Sequence, residues 1–418
     1  MTSGTAEIPS ADEVVTVADV AAARERLADV VHRTPLDRST TFAERSGAAS
    51  VGLKLENVQR TGSFKLRGAY NRMAKLSPAE RDRGVVTASA GNHAQGVALA
   101  GRLLDVETTV VVPEVTPAAK IEATRGYGAE VLVEGDIYED SYRRALELAD
   151  EAGPTFVHPF DDADVIAGQG TVGLELVEQY PEVDTAVVAV GGGGLVAGIA
   201  TVLKDRDPDV RVVGVQPEGA AHAKPSLDAG EIRDLPGVDT VAEGIADTRM
   251  LPKTFGVARE RVDDVVSVSD REASAAVALL AERAKTVAEA AGAVPLAAIL
   301  SDDLDVTDEH VALVVSGGNV DLADHADLVR TGLSALGRRV EARLAVADWP
   351  AGLDAVAATV ADRGADLAGL ERARPTAADD PNRTPVTVEV TGTGPDHLRE
   401  VLTALDSRDG VAVADDDL

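Results

Sequence analysis

Residues 61–71 read TGSFKLRGAYN and put Lys65 at the start of a stretch with helical character. Only eight of the 40 basic residues are lysines, so a lysine kept at a helix start invites a chemical explanation. Thr61, Gly62 and Ser63 precede it, and Arg67 follows two positions on. The positive end of a helix and a neighbouring cation both favour a neutral, nucleophilic amine. Taken alone, these residues also fit a surface lysine.

Three further turns carry residue types suited to binding. GGGGLVAG, residues 191–198, follows the apolar run TAVVAV. Contiguous glycines let a backbone approach a ligand closely, and N–H groups at a helix start favour an anion such as phosphate. SAGNHAQG, residues 89–96, again offers free N–H groups, beside the Ser89 hydroxyl and the Asn92 amide. That set suits a carboxylate and a polar ring substituent, although Ser89 and Asn92 could equally cap a helix. VVSGGN, residues 314–319, sets Ser316 at a strand end, where a serine can also just close a turn. A phosphate-binding glycine turn together with an activated lysine points to pyridoxal 5′-phosphate held as a Schiff base. A nicotinamide dinucleotide fits worse, because the glycines are contiguous and no acidic residue follows about twenty positions on at a second strand end.

These turns need strands to position them. From about residue 52 to residue 313, short β-branched runs alternate with alanine-rich helical stretches. The strand candidates are GVVTAS, ETTVVVP, AEVLVEG, TAVVAV, VRVVGVQ and VALVVSGG. Runs that are apolar throughout are expected of parallel strands covered on both faces, which predicts a doubly wound α/β fold with ligands at the strand ends. The uncharged residues 185–203 do not suit a membrane span, since each glycine costs a helix about 1 kcal/mol relative to alanine. Residues 17–31 have helical apolar spacing that breaks before Pro35. Past about residue 330 the order becomes β-α-β-β-α-β, the ferredoxin-like arrangement, which predicts a separate domain over residues 337–418.

Composition sets outer limits. A chain of 418 residues with 45% hydrophobic content can build two or three domains. With 71 acidic and 40 basic residues the net charge is −31, which excludes a nucleic-acid-binding face. Acid dispersed along the chain, with few lysines, points to a protein that works in concentrated salt, where self-repulsion is screened. The absence of cysteine excludes disulfides, thiol nucleophiles and cysteine-held metal centres. The N-terminal stretch MTSGTAEIPSADE is unlike a signal peptide, so a cytoplasmic location with no membrane partner is expected.

SFKLRGA, SAGNHAQG, GGGGLVAG and SGGN occur in the order and at about the separations seen in threonine ammonia-lyases and the related serine racemases. The resemblance runs over residues 32–321 and implies the tryptophan-synthase-β-like fold (fold type II). This is a two-lobed, doubly wound parallel-sheet enzyme dependent on pyridoxal 5′-phosphate. A catalytic domain over residues 1–330 would then hold a smaller lobe at roughly residues 53–150. By resemblance, Lys65 carries the cofactor and acts as base, and Asn92 binds the pyridoxal 3′-oxygen. Gly191, Gly192, Gly193 and Gly194 bind its phosphate, and Ser316 its ring nitrogen. Ser89, Gly91 and His93 would take the substrate carboxylate, with Ser89 close to the chemistry, and Glu289 in EAAGAV would stand near the ring. The implied reaction is β-elimination of L-threonine, and of L-serine, to a 2-oxo acid and ammonia. A serine or hydroxy-aspartate dehydratase or racemase is the alternative. A neutral hydroxyl at the ring nitrogen makes a shallower electron sink, which favours elimination over transamination.

The chain departs from the racemases twice. Ala90 stands where they carry an acid–base serine, and Gln216 and His222 stand where they carry cation-binding carboxylates, so no metal site is expected. VADWPAGLDAVAATVADRGADL resembles an ACT domain, with Asp348, Pro350 and Leu353 matching but Gly352 one place late after Ala351. Such a domain would bind an amino-acid effector or pair subunits, and a homo-oligomer, dimer or tetramer, is expected.

Overall fold

The β-branched runs assemble into parallel sheets in the computed structural model, which describes residues 7–377 and 379–418. Residues 1–6 of the polar N-terminal stretch therefore lie outside the described residues. The chain divides into two units, Met1–Asp321 and Leu322–Leu418.

The first unit contains β1 (Leu36–Arg38), β2 (Ser50–Leu55), β3 (Val85–Ala88), β4 (Thr108–Val112) and β5 (Glu130–Val133). These are followed by β6 (Thr155–Phe156), β7 (Thr185–Ala189), β8 (Arg211–Pro217), β9 (Asp264–Val268) and β10 (His310–Val315). The larger sheet has the order β1-β2-β10-β7-β8-β9 and is parallel except for β1. The smaller sheet, β5-β4-β3-β6, is parallel throughout. Helices packed against these sheets make the two-lobed, doubly wound α/β fold, and the ligand-type turns fall at the carboxyl ends of β3, β7 and β10. The uncharged segment over residues 185–203 resolves into β7, the glycine turn and the helix Gly194–Arg206. No helix among the described residues is long and apolar enough to cross a membrane.

The six expected strands are β3, β4, β5, β7, β8 and β10. Four others carry weaker signals. β6 has two residues and β1 three, and β9 opens on an aspartate. β2, SVGLKL, hides a lysine: Lys54 is fully buried, and its Nζ donates to the Thr34 carbonyl at 2.7 Å, Glu175 Oε2 at 2.5 Å and Gln179 Oε1 at 2.8 Å. A charge can occupy a core position only when it is matched in this way. The helix expected over residues 17–31 spans Val17–Leu27, and Thr16 and Asp19 close a reciprocal capping box at its start.

The second unit begins with the helix Leu322–Ala335, which runs across the domain limit expected at residue 330. Four antiparallel strands follow: β11 (Arg339–Val346), β12 (Asp366–Arg372), β13 (Thr384–Thr391) and β14 (Val411–Asp416). Their order is β12-β13-β11-β14. The helices Gly352–Asp362 and Pro395–Asp406 complete the β-α-β-β-α-β pattern. Alternate residues of β11 and β13, including Val340, Ala342, Leu344, Val386, Val388 and Val390, meet Val356, Val360, Leu398 and Leu405 in one core.

Candidate active site

Lys65 is the first residue of the helix Lys65–Ala74. Two backbone bonds anchor the turn before it to the end of β10. Phe64 N–H donates to the Ser316 carbonyl at 3.3 Å, and Gly318 N–H donates to the Gly62 carbonyl at 2.9 Å. A lysine and a serine that are 251 positions apart in sequence (316 − 65) are thereby held at one place. Lys65 Nζ donates to the Pro159 carbonyl at 3.1 Å. Burial lowers its pKa, which Asp247 and Glu289 oppose, so the amine is biased toward its nucleophilic form.

The cation thought to assist it has a different role. Arg67 is fully buried and donates to both oxygens of Glu56, each at 2.8 Å, and to Glu175 Oε1 at 2.7 Å. Its charge is matched within that cluster, and burial alone accounts for the lowered Lys65 pKa.

One cavity brings together Lys65, Asn92, Gly191, Gly192, Gly193, Gly194, Glu289 and Ser316. Asn92 begins the helix Asn92–Leu104, but neither it nor Ser89 caps that helix, since Gly91 is the cap residue. Asn92 Nδ2 instead donates to Glu289 Oε1 at 2.7 Å, and its Oδ1 accepts from Asn319 Nδ2 at 2.8 Å. Burial pushes Glu289 up to about 7, against the Asn92 hydrogen bond that favours its charged form.

The glycine turn is shaped by protein packing as well as by any ligand. Gly193 lies at φ +91°, in the left-handed region. A Cβ on Gly191 would come within 2.6 Å of Asp247 Oδ2, and one on Gly192 would collide with the Phe160 ring. Gly192→Ala should therefore destabilise the fold by about 1–3 kcal/mol, the usual cost of overpacking, and should weaken retention of pyridoxal phosphate on gel filtration. Thermal midpoint and cofactor content measured on the same sample check both effects.

Ser89, Gly91 and His93 do not line this cavity. Ser89 Oγ accepts the Gly91 N–H at 3.2 Å within the loop before the helix. His93 is buried with Nε2 against the Val157 carbonyl at 3.0 Å, and burial drives its pKa down to about 3. It is neutral at ordinary pH and brings no positive charge to a carboxylate. Asp247 and Gln169, two polar residues of the lining, escaped the sequence analysis. Gln169 lies inside a helix, in AGQGT, and Asp247 follows the short turn Glu243–Ile245, so neither has the strand-end signal that revealed the other turns. Gln169 Oε1 accepts the Gly68 N–H at 3.1 Å, while its buried Nε2 has no acceptor among the described residues.

Residues 27–317 match the model of the pyridoxal-phosphate dependent enzyme family. The chain belongs to this family. An L-threonine ammonia-lyase of Thermotoga maritima is 45% identical over 354 residues, covering 85% of this chain and 88% of that protein. The solved structure of the processed form of threonine deaminase isoform 2 from Solanum lycopersicum has a TM-score of 0.72 and 38% identity, covering 75% of this chain and 92% of that one. The maize serine racemase structure has a TM-score of 0.73 and 36% identity, covering 77% and 98%.

The lining fits the family's cofactor on its own chemistry. A glycine turn opens the helix Gly194–Arg206, as a phosphate requires. A lysine amine with lowered pKa suits a carbonyl, and the orphaned Gln169 amide is a donor that still needs an acceptor. Among the described residues, no group of three or more His, Cys, Asp or Glu could hold a metal ion. Gln216 is fully engaged, accepting the Ala223 N–H at 2.6 Å and donating to the Val190 carbonyl at 3.1 Å.

Proposed function

We propose that the enzyme is a threonine ammonia-lyase that eliminates the β-hydroxyl of L-threonine, and of L-serine, and releases ammonia and a 2-oxo acid, 2-oxobutanoate from threonine. The observation that carries this proposal is the meeting of Lys65, the glycine turn and the neutral Ser316 hydroxyl in one cavity. Lys65 would hold the cofactor, the N–H groups of residues 191–194 its phosphate, Asn92 the ring 3′-oxygen and Ser316 the ring nitrogen. The bound cofactor supplies the sink for the electrons left when the α-proton departs.

The remaining work falls to the protein. As a free amine Lys65 would be placed to take the α-proton, and its lowered pKa suits a base at neutral pH. The loop over residues 89–93, of which Asn92 lines the cavity, would seat the substrate carboxylate through backbone N–H groups rather than through His93. Ser316 would offer the ring nitrogen one uncharged hydrogen-bonding partner, which favours loss of the β-hydroxyl over amine transfer.

Racemisation needs a second proton carrier on the opposite face. Ala90, packed against an apolar cluster that includes Ala94, Ala98 and Val110, supplies none. The test is kcat/KM for L-threonine, L-serine and 3-hydroxyaspartate, with D-serine formation measured in parallel. Highest turnover on L-threonine with negligible D-serine is expected; D-serine formed as fast as oxo acid would overturn the assignment.

The second unit is read as an ACT-like module that senses an amino acid or pairs subunits of a homo-oligomer. The acidic composition is read as adaptation to a high-salt cytoplasm. Screening of a net charge of −31 should raise the thermal midpoint as potassium chloride is added. An unchanged midpoint from low to molar salt would remove that reading.

A further inference from the structure

Asp247 stands in the cofactor cavity with no part in the chemistry described above. The backbone N–H of Gly192 acts on its carboxylate and favours the charged form, which sets an acid beside the glycine turn. The same carboxylate limits the space behind the neighbouring glycine, with Oδ2 2.6 Å from the position of a Gly191 Cβ. An acid on a phosphate-binding turn is a conflict. An ionised carboxylate beside a phosphate sets like charges together, and one of the two must then give up its charge. The carboxylate stands directly over Gly191, within the cavity lining that the phosphate would share.

We propose that Asp247 meets the cofactor phosphate as a carboxylic acid and shares one proton with it across the glycine turn, so that cofactor binding takes up a proton at this residue. The inference rests on the assignment of the glycine turn to the phosphate.

The surroundings of Asp247 disfavour its ionised form, so the proton is taken up at those pH values where the acid is ionised in the free protein. Burial raises its pKa, opposed by Lys65 and by the Gly192 N–H. Of the other titratable groups nearby, Tyr138 shares its field and, as a phenol with a raised pKa, is neutral at ordinary pH. Glu289 lies on the same cavity lining, pushed up to about 7, and adds no positive charge. His222, whose pKa is influenced by the Gly191 backbone, is lowered to about 4 by burial and is neutral too. Lys65 is the cation whose charge opposes the rise at Asp247. A phosphate brought onto the turn adds negative charge and favours the protonated acid further.

The sign follows from linkage. A complex that binds one more proton than its separated parts loses affinity as pH rises, by tenfold per unit once the acid is ionised in the free protein. The full-length apoprotein would be titrated with pyridoxal 5′-phosphate calorimetrically, in two buffers of different ionisation heat, as wild type and as Asp247→Asn. The expected result is about one proton less taken up by the variant, with an affinity that falls less steeply above neutral pH. The phosphorus resonance of the bound cofactor should titrate differently in the two proteins. Should the asparagine variant not fold, Asp247→Ser is read in the same way. Equal proton uptake by both proteins, with cofactor bound in each, overturns the role of Asp247 alone. Failure of the wild type to bind the cofactor at any pH overturns the underlying assignment of the turn.

Discussion

Lys65→Ala protein should purify folded and colourless, and should release 2-oxo acid from L-threonine at least about a thousandfold more slowly than wild type, since it loses both the covalent anchor and the base. The folded state should survive because the side chain contributes little to it. The ε-amine makes one hydrogen bond, to the Pro159 carbonyl, and burial opposes its charge. Removing a penalised charge costs less than removing a matched one. The thermal midpoint of the apoprotein should therefore stay level or rise. Visible absorbance before and after borohydride, with oxo acid assayed in the same sample, checks the prediction. A variant that kept a yellow band bleached by borohydride would show that another amine holds the cofactor.

Two positions further on, the outcome reverses. Arg67→Met should destabilise the first unit by about 3–5 kcal/mol, the usual cost of stripping one partner from a buried ion pair. In the folded chain Lys54 and Arg67 balance Glu56 and Glu175, all four deeply buried. Without the guanidinium, Glu56 keeps only the Thr34 hydroxyl at 2.5 Å and the field of Lys54. The pH dependence adds a second mark. In the wild type Glu56 is held below the usual carboxylate range, chiefly by Arg67 working against the desolvation of burial. A depressed carboxylate stabilises the fold above its unfolded pKa, and that stability is lost as pH falls through the folded value. The variant's deficit should thus be largest at neutral pH and shrink as pH falls below about 4. Urea midpoints at several pH values read this directly, and a deficit that did not change with pH would show that lost packing, not charge, is responsible. Activity should fall as well, because Arg67 lies in the first turn of the helix that presents Lys65.

The two side chains were equally visible in SFKLRGA, yet their roles were not equally legible. Lys65 announces itself through its own position, at a helix start after a glycine- and hydroxyl-bearing turn. Arg67 is defined by Glu56 and Glu175, which lie 11 and 108 residues away, and no local pattern predicts that all three are buried together. Lys54 is of the same kind, since a lysine in SVGLKL fits a core strand only once Glu175 and Gln179 are placed beside it.

From the sequence alone came the strand ends at β3, β7 and β10, the glycine turn, and the pairing of a lysine with a phosphate-type loop. These are features in which backbone freedom, helix-end dipole and side-chain type are local properties of a few adjacent residues. Only the tertiary structure decided how the charges are apportioned. It set Asn92 on Glu289 instead of on a helix end and left His93 neutral behind Val157. It also brought Asp247 and Gln169 into the cavity from segments with no strand-end signal. Electrostatic character depends on burial and on neighbours within a few ångströms, and chains reach those neighbours from any distance along the sequence.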